Sequence, residues 1–580
     1  MQQNISSENT SSRSANISFL RKGCYAAALL ILLAVTFFAA FYLIHDYSYL
    51  HNWFLSLNDC FYRRDLWDKE FFTPDVRSKG TRYAVAAIGI AISGIIYILA
   101  TWRSMAKRES RIHFTIPRSS IIWYSLVILT GIGLSIWGDH ISSPAYDEIF
   151  SASNCAKLHP LQTLSYYMLP NNHIYFNLVN NILFHWVDDN VRSGRFISGV
   201  AYVALLCIAF HWFSLLFKNN ALAFVALTSI ALQFTVWGFG FQARGYEWHL
   251  LAAWVALASL FRYIRTNSST ALRINMLFSA IGFGMVATYL YFFVAQCMFL
   301  LLVQAYIRKF DFRFWKYQFF TICVVFLCYQ PALCFSGLNA FINNSTIKSN
   351  PIELANYLPT FLSVFKYFIN TCFSFIIRED HPLNFIIFLL PLLLLFARRK
   401  ERKLFGLFYL TLWLVWMLMV LYTKMHPFCR SMIIHYSITL AFVIYTVYAV
   451  ADAIANYLKK PYLLYVIFTI PVLLSSIHYY RGDAEHESYN LYFNDTDQLY
   501  SSHTRESHQI PKGSSIAFSE ESFYFYYLLH KQQYPVKKCS NGNEDYYIKR
   551  NFETLDEPYK SQYTLLKNLS EGYELYKRKP

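Results

Sequence analysis

Charge is scarce in this chain, and little of it falls inside the long apolar runs. Only 15% of its 580 residues are Asp, Glu, Lys or Arg, against 55% hydrophobic. The apolar residues come in unbroken runs instead of amphipathic periods, which excludes an ordinary soluble globule and implies a polytopic membrane protein. Acid is scarcer still: 35 Asp and Glu face 51 Lys and Arg, a net charge of +16. That excess calls for no nucleic-acid partner. The basic clusters Arg103/Lys107/Arg108/Arg111/Arg118, Arg262/Arg265/Arg273, Arg308/Lys309/Arg313/Lys316, Arg398/Arg399/Lys400/Arg402/Lys403 and Lys459/Lys460 fall on alternate connections. The positive-inside rule accounts for them and puts the amino terminus in the cytoplasm. CxxC pairs and Cys/His metal spacings are also missing. Of the 11 cysteines, Cys207, Cys297, Cys323 and Cys328 sit in apolar runs, while Cys60, Cys155, Cys429 and Cys539 fall on the expected oxidising side. No repeat of roughly 20–50 residues is present, which weakens a transporter built on inverted repeats.

What is present is a series of apolar runs, about thirteen of them at bilayer length. They cover Gly23 to His45, Tyr83 to Trp102, Ile121 to Trp137, Phe196 to Phe217, Ala221 to Phe241, Trp248 to Tyr263, Met276 to Tyr291, Phe292 to Tyr306, Phe319 to Phe335, Phe385 to Ala397, Leu404 to Tyr422, Met432 to Val450 and Tyr462 to His478. No small-residue cleavage site closes the first run, so it reads as a retained span. The expected organisation is a disordered cytoplasmic segment 1–22, two extra spans with an outer loop over 23–118, a membrane core over 119–478 and an outer domain over 479–580. In that last part the apolar runs vanish. A strand near Ser514 to Phe518 and a helix over Glu520 to His530 predict a small mixed α/β domain.

The distinctive chemistry lies in the loop 139–195, where Asp147 and Glu148 are adjacent. An ionised carboxylate at a bilayer centre costs on the order of 2.5 kcal/mol or more, so the pair belongs in water or a protected cavity beside the membrane. Ser143-Pro144 is a helix-start signal that puts both acids in the opening turns of a short helix. Neighbours on a helix point about 100° apart, so the two cannot do the same job on one atom. His159-Pro160 opens a second helix, ending at Pro170. Asn171-Asn172-His173 opens a third, with His173, Asn177, Asn180 and Asn181 on one stripe against Ile174, Leu178, Ile182 and Leu183. That pattern predicts an amphipathic helix along the membrane surface with the Asn stripe in solvent. Two further turns on the same side carry Arg244 and Arg430, planar cationic forks suited to phosphate oxygens.

Four stretches, AYDEIFSA, LHPLQTLSYYMLPNNHIYFNLVNNILF, FQARGYEWHLLAAW and HPFCRSMIIHYSITLAFVIY, occur in an order that resembles the GT-C membrane glycosyltransferases of the family 39 type. That group includes the protein O-mannosyltransferases and lipid A aminoarabinose transferases. The resemblance implies transfer of a sugar from a polyprenyl-phosphate donor to a lipid, glycan or protein acceptor on the outer face, without nucleic acid. It makes Asp147 the base and Glu148 its orienting neighbour, and Arg244 a ligand of the donor phosphate. Tyr246, Arg430, His159 and His173 complete the candidate substrate site. Asp147 and Glu148 are also the only candidate ligands for Mg or Mn, and two carboxylates alone do not close a metal site. A bacterial inner membrane fits the composition, while the sequon Asn344-Ser345-Thr346 keeps a eukaryotic secretory membrane open. The rival readings are a flippase of lipid-linked saccharides and an assembly scaffold.

Overall fold

A computed structural model describes residues 2–107, 118–168, 172–184, 186–187, 189–342, 357–373, 381–424, 429–482, 495–537, 542–555 and 557–580. The expected helix stop at Pro170, the sequon Asn344–Thr346, residues 425–428 and Cys539 lie outside these residues. The chain is a helical membrane bundle with a small sheet domain at its carboxyl end.

Among the described residues, eight helices are long and apolar enough to cross a membrane: Gly23–Ile44, Pro74–Thr101, Ser120–Ile141, Asn190–Phe217, Tyr289–Tyr306, Phe312–Phe335, Lys400–Thr423 and Arg430–Tyr457. Part of the difference from thirteen has physical causes. The run Ala221 to Phe241 breaks at Gln233, which is extended and ends the helix Asn220–Leu232 before Phe234–Gly240 begins. The run Phe385 to Ala397 tightens into a 3-10 turn after Leu389. Met276 to Tyr306 is a hairpin, Ser269–Met285 followed by Tyr289–Tyr306. The first helix runs from Gln2 to Ile44, continuous with the amino-terminal segment.

Three indole N–H groups in the bundle find acceptors that lipid does not offer. Trp248 donates to the Ile197 carbonyl (3.0 Å), Trp254 to Ser437 Oγ (3.1 Å) and Trp413 to Thr439 Oγ1 (3.0 Å). The two amino-terminal spans dock against Phe312–Phe335 through an aromatic nest. Phe335 sits among Tyr42, Phe54 and Phe72, and Trp67 Nε1 donates to its carbonyl at 3.1 Å.

The sheet has the order β2-β1-β3-β5-β4, with β1 Ile516–Phe518, β2 Val536–Lys537, β3 Tyr546–Arg550, β4 Tyr563–Asn568 and β5 Tyr573–Arg578. β1 pairs in parallel with β2 and β3, and β5 is antiparallel to β3 and β4. The strand at 516–518 and the helix Phe523–Lys531 match the sequence expectation. This domain seats on the loop that carries the carboxylates. Tyr146, Ile149 and Phe150 pack with Phe523, Tyr524 and Leu528. Arg63 and Tyr62, from the loop before the second span, close on Glu521 at 2.9 and 2.7 Å.

Candidate active site

The carboxylate helix runs Tyr146–Ser151, with Ala145 as its N-cap. The expected start at Ser143-Pro144 shifts because the preceding backbone is pulled straight by side chains from elsewhere. Arg195 donates to the carbonyls of Ser142 (3.0 Å) and Ser143 (3.1 Å), and the Ser143 N–H donates to Asp497 Oδ1 (2.9 Å). Both acids still fall in the first turn, where the helix dipole favours negative charge.

Their surroundings differ sharply. Glu148 is 1% exposed and its oxygens are engaged on all sides. Arg195 grips it bidentately, Nε to Oε1 and Nη2 to Oε2 at 3.0 Å each, while the backbone N–H of Ala145 (2.8 Å) and Ala243 (2.6 Å) complete the set. Arg195 spends its remaining donors on Asp139 Oδ1 (3.0 Å) and the two carbonyls already named. The Glu148–Arg195 pair therefore ties together the end of the helix Arg118–Ile141, the carboxylate helix, the start of Asn190–Phe217 and the turn 242–245. Glu148 orients backbone and is not presented to a substrate. Sequence reasoning missed Arg195. Its signal was an arginine at the edge of an apolar span, at an end expected to be the outer one, where the positive-inside rule disfavours it.

Asp147 points the other way and pairs with Arg430, their side chains 28% and 31% exposed. Arg244, 2% exposed, comes in beneath. Its Nη1 donates to the Asp147 carbonyl and to Ser151 Oγ, both at 3.0 Å, and its guanidinium lies 5.5 Å from the Tyr246 ring centroid. His173 faces the same point, edge-on to Tyr246 at 4.7 Å. Five of the seven expected residues thus converge: Asp147, Arg244, Tyr246, Arg430 and His173. Glu148 buttresses them. His159 is a correction: it is exposed and uses Nδ1 to cap the next helix, accepting from the Leu161 N–H at 3.3 Å.

The protonation of His173 follows from its neighbours. The Gly245 N–H donates to Nδ1 at 2.9 Å, so the neutral ring carries its proton on Nε2. Burial, with Arg244 and Arg430 close by, holds the ring well below its usual pKa and keeps it neutral. Nε2 and Arg244 Nη2, 3.2 Å apart, are then both donors. Two donors facing one point suit an anionic acceptor shared between them. Gly245 makes the approach feasible, since a Cβ there would lie 2.9 Å from His173 Nδ1.

The Asn stripe is the second correction. Asn177, Asn180 and Asn181 are buried, while Ile182 and Leu183 are 56% and 51% exposed. Asn181 Nδ2 donates to the carbonyls of Ala156 (2.5 Å) and Leu158 (2.6 Å), and Asn180 Nδ2 to that of Asn190 (2.8 Å). Beside a membrane the polar face turns inward, because loop carbonyls need donors that lipid does not supply. Among the described residues, no three His, Cys, Asp or Glu converge as a metal site. With both Glu148 oxygens committed to Arg195 and backbone N–H groups, the pair does not fit a divalent cation.

No family model matches the chain, and no curated protein matches its sequence. The solved structures similar to it include three membrane proteins. ArnT from Cupriavidus metallidurans, bound to undecaprenyl phosphate, superposes with a TM-score of 0.47 and 12% identity over 80% of this chain and 98% of that one. The oligosaccharyltransferase AglB from Archaeoglobus fulgidus, in complex with an inhibitory peptide and a dolichol-phosphate, gives 0.40 and 10% over 75% and 69%. The arabinosyltransferase EmbB from Mycobacterium smegmatis gives 0.34 and 11% over 83% and 49%.

Proposed function

We propose that the protein transfers a sugar from a polyprenyl-phosphate donor to a lipid, glycan or protein acceptor, at the outer face of a bacterial inner membrane. The observation that carries this reading is the convergence of Asp147, Arg244, Arg430 and His173 from four separate segments. A lone arginine at a span end is ordinarily a headgroup anchor. Two guanidiniums and an imidazole N–H gathered beside a carboxylate form an anion site with a base at its edge.

The donor phosphate occupies the point faced by His173 Nε2–H and Arg244, with its prenyl chain among the spans. Arg430 then moves its charge from Asp147 to the phosphate, which frees Asp147 Oδ2 for the acceptor hydroxyl. That hydroxyl gives its proton to Asp147 as its oxygen bonds to the anomeric carbon. The bond from that carbon to the phosphate oxygen breaks, and the phosphate departs with the electron pair. Direct displacement inverts the anomeric centre. A positioned base contributes about 10² to 10⁴ in rate, and fixed positive charge stabilises the leaving group. A flippase would instead place ionisable residues at mid-membrane for a moving substrate.

The test is binding of a polyprenyl phosphate to purified protein in nanodiscs, followed by native mass spectrometry. Arg244→Gln and Arg430→Gln each lose most of the bound lipid while Asp147→Asn keeps it. Equal retention by all three variants contradicts the phosphate site. Mass spectrometry of envelope glycans with and without the protein then identifies the sugar and its acceptor.

A further inference from the structure

The two amino-terminal spans, Gly23–Ile44 and Pro74–Thr101, contribute no residue to the anion site, yet the loop between them reaches the segment that carries Asp147. Tyr62, 6% exposed, stands where three parts of the molecule meet. Its ring lies edge-on to Phe150, with centroids 4.9 Å apart, its carbonyl accepts the Tyr166 hydroxyl, and its own hydroxyl donates to Glu521 Oε1 at 2.7 Å. Arg63 follows it onto the same oxygen, with Nη2 at 2.9 Å. The loop is anchored from behind by Gln162, which is fully buried. Its Nε2 donates to the carbonyls of Phe54 (2.9 Å) and Asn58 (2.8 Å).

Arg63 also holds an unusual backbone, φ 50° and ψ 44°, the left-handed region that residues with a Cβ seldom enter. Such a conformation persists where the surroundings over-determine it. Here the constraint is visible: the side chain is committed to Glu521 while the next residues turn into the short helix Arg64–Leu66. Across the joint, Glu521 lies two residues before Phe523, whose ring meets both Tyr146 (4.6 Å) and Phe150 (5.2 Å). Those two residues flank Asp147 in the helix Tyr146–Ser151. A helix of six residues does not hold its own shape in water, so the position of Asp147 is set by what packs against its neighbours. Glu148 and Arg244 secure it towards the bundle, and the Tyr62–Arg63–Glu521 joint bears on the aromatic residues to either side of it.

We propose that Tyr62 and Arg63 are positioning residues for Asp147, which makes the loop between the amino-terminal spans a working part of the site. By locking Glu521 in place they seat Phe523 against Tyr146 and Phe150, and this holds the carboxylate at the angle from which it reaches the acceptor hydroxyl. A base displaced by about 1 Å loses on the order of 10²-fold in rate. The consequence for rate rests on the glycosyl-transfer reading; the seating of the carboxylate helix does not.

The experiment reverses the ion pair in the full chain in nanodiscs, with Arg63→Glu, Glu521→Arg and the double variant. Arg63 is 41% exposed at its side chain, a surface position where folding is not at risk. Hydrogen–deuterium exchange is read by mass spectrometry on peptides covering 145–151, with no donor present. Each single reversal is expected to raise exchange there about tenfold, and the double variant to return it to the wild-type level. Tyr62→Ala has the same effect, and Tyr62→Phe, which keeps the ring on Phe150, a smaller one. With the polyprenyl-phosphate sugar identified from the envelope-glycan comparison, kcat of each single reversal is expected to fall about 10- to 100-fold at an unchanged KM for the donor. The double variant recovers to within about threefold of wild type. Unchanged exchange or unchanged rate in the single reversals overturns the proposal, as does a loss that the double variant does not recover. An equal loss in Arg64→Glu, whose side chain reaches the Asp59 carbonyl instead, overturns it too. Failure of the transfer reading shows as a wild-type protein without transfer, and exchange then still decides the joint.

Discussion

Asp147 and Glu148 are adjacent in the chain and share a helical turn, yet one is 28% exposed at its side chain and the other 1%. Glu148 is saturated by the bidentate guanidinium of Arg195 and the backbone N–H groups of Ala145 and Ala243. Asp147 meets Arg430 at the rim of the proposed anion site. The difference teaches that a paired acidic motif divides its labour by helical geometry. The buried member ties down the turn that carries Arg244, and the other member stays partly exposed in its pair with Arg430.

The comparison breaks most visibly at Asp147. Replacing it with Asn is expected to lower sugar transfer by about 10² to 10⁴ with the thermal midpoint unchanged, measured on purified protein with a polyprenyl-phosphate-sugar donor. Arg195→Met attacks the other half. Removing one partner of a buried pair leaves Glu148 uncompensated and costs about 3–5 kcal/mol, read as a lowered midpoint in a thermal melt. Gly245→Ala sharpens the boundary between the halves. A Cβ 2.9 Å from His173 Nδ1 displaces the ring. Transfer is expected to fall roughly 10- to 100-fold, with KM for the donor rising and the fold intact. His173 gives the smallest effect, a pH dependence. Its pKa is lowered in the folded state, so below the usual histidine value near 6.5 the unfolded chain binds a proton that the folded one refuses. Stability is therefore expected to fall as pH drops from about 7 towards 5. His173→Gln flattens that part of the profile, measured by thermal melts across the range.

Much of this was legible from composition and local signals. The apolar runs announced the bundle, and Pro160 announced a helix start that the structure keeps at Pro160–Ser165. The carboxyl-terminal strand and helix were readable from alternation and the loss of apolar runs. The candidate site was legible as a set of loop and turn residues, and five of the seven meet in space. What the sequence hid were relations between distant segments. Nothing near Glu148 marks Arg195 as its partner. The Asn stripe misled because amphipathic patterning assumes a polar face in water; beside lipid the demand of buried carbonyls such as those of Ala156 and Leu158 reverses it. His159 was grouped with the candidate substrate residues although His159-Pro160 reads as a helix start, and in the structure its ring caps that helix.

The division between the two carboxylates is tested most directly by measuring transfer rate and thermal midpoint on Asp147→Asn and Glu148→Gln side by side, in one membrane preparation with one donor. The account predicts that Asp147→Asn loses the rate and keeps the midpoint. Glu148→Gln lowers the midpoint, and the fraction that stays folded retains most of its rate. An Asp147→Asn protein that is folded and transfers sugar at the wild-type rate contradicts it.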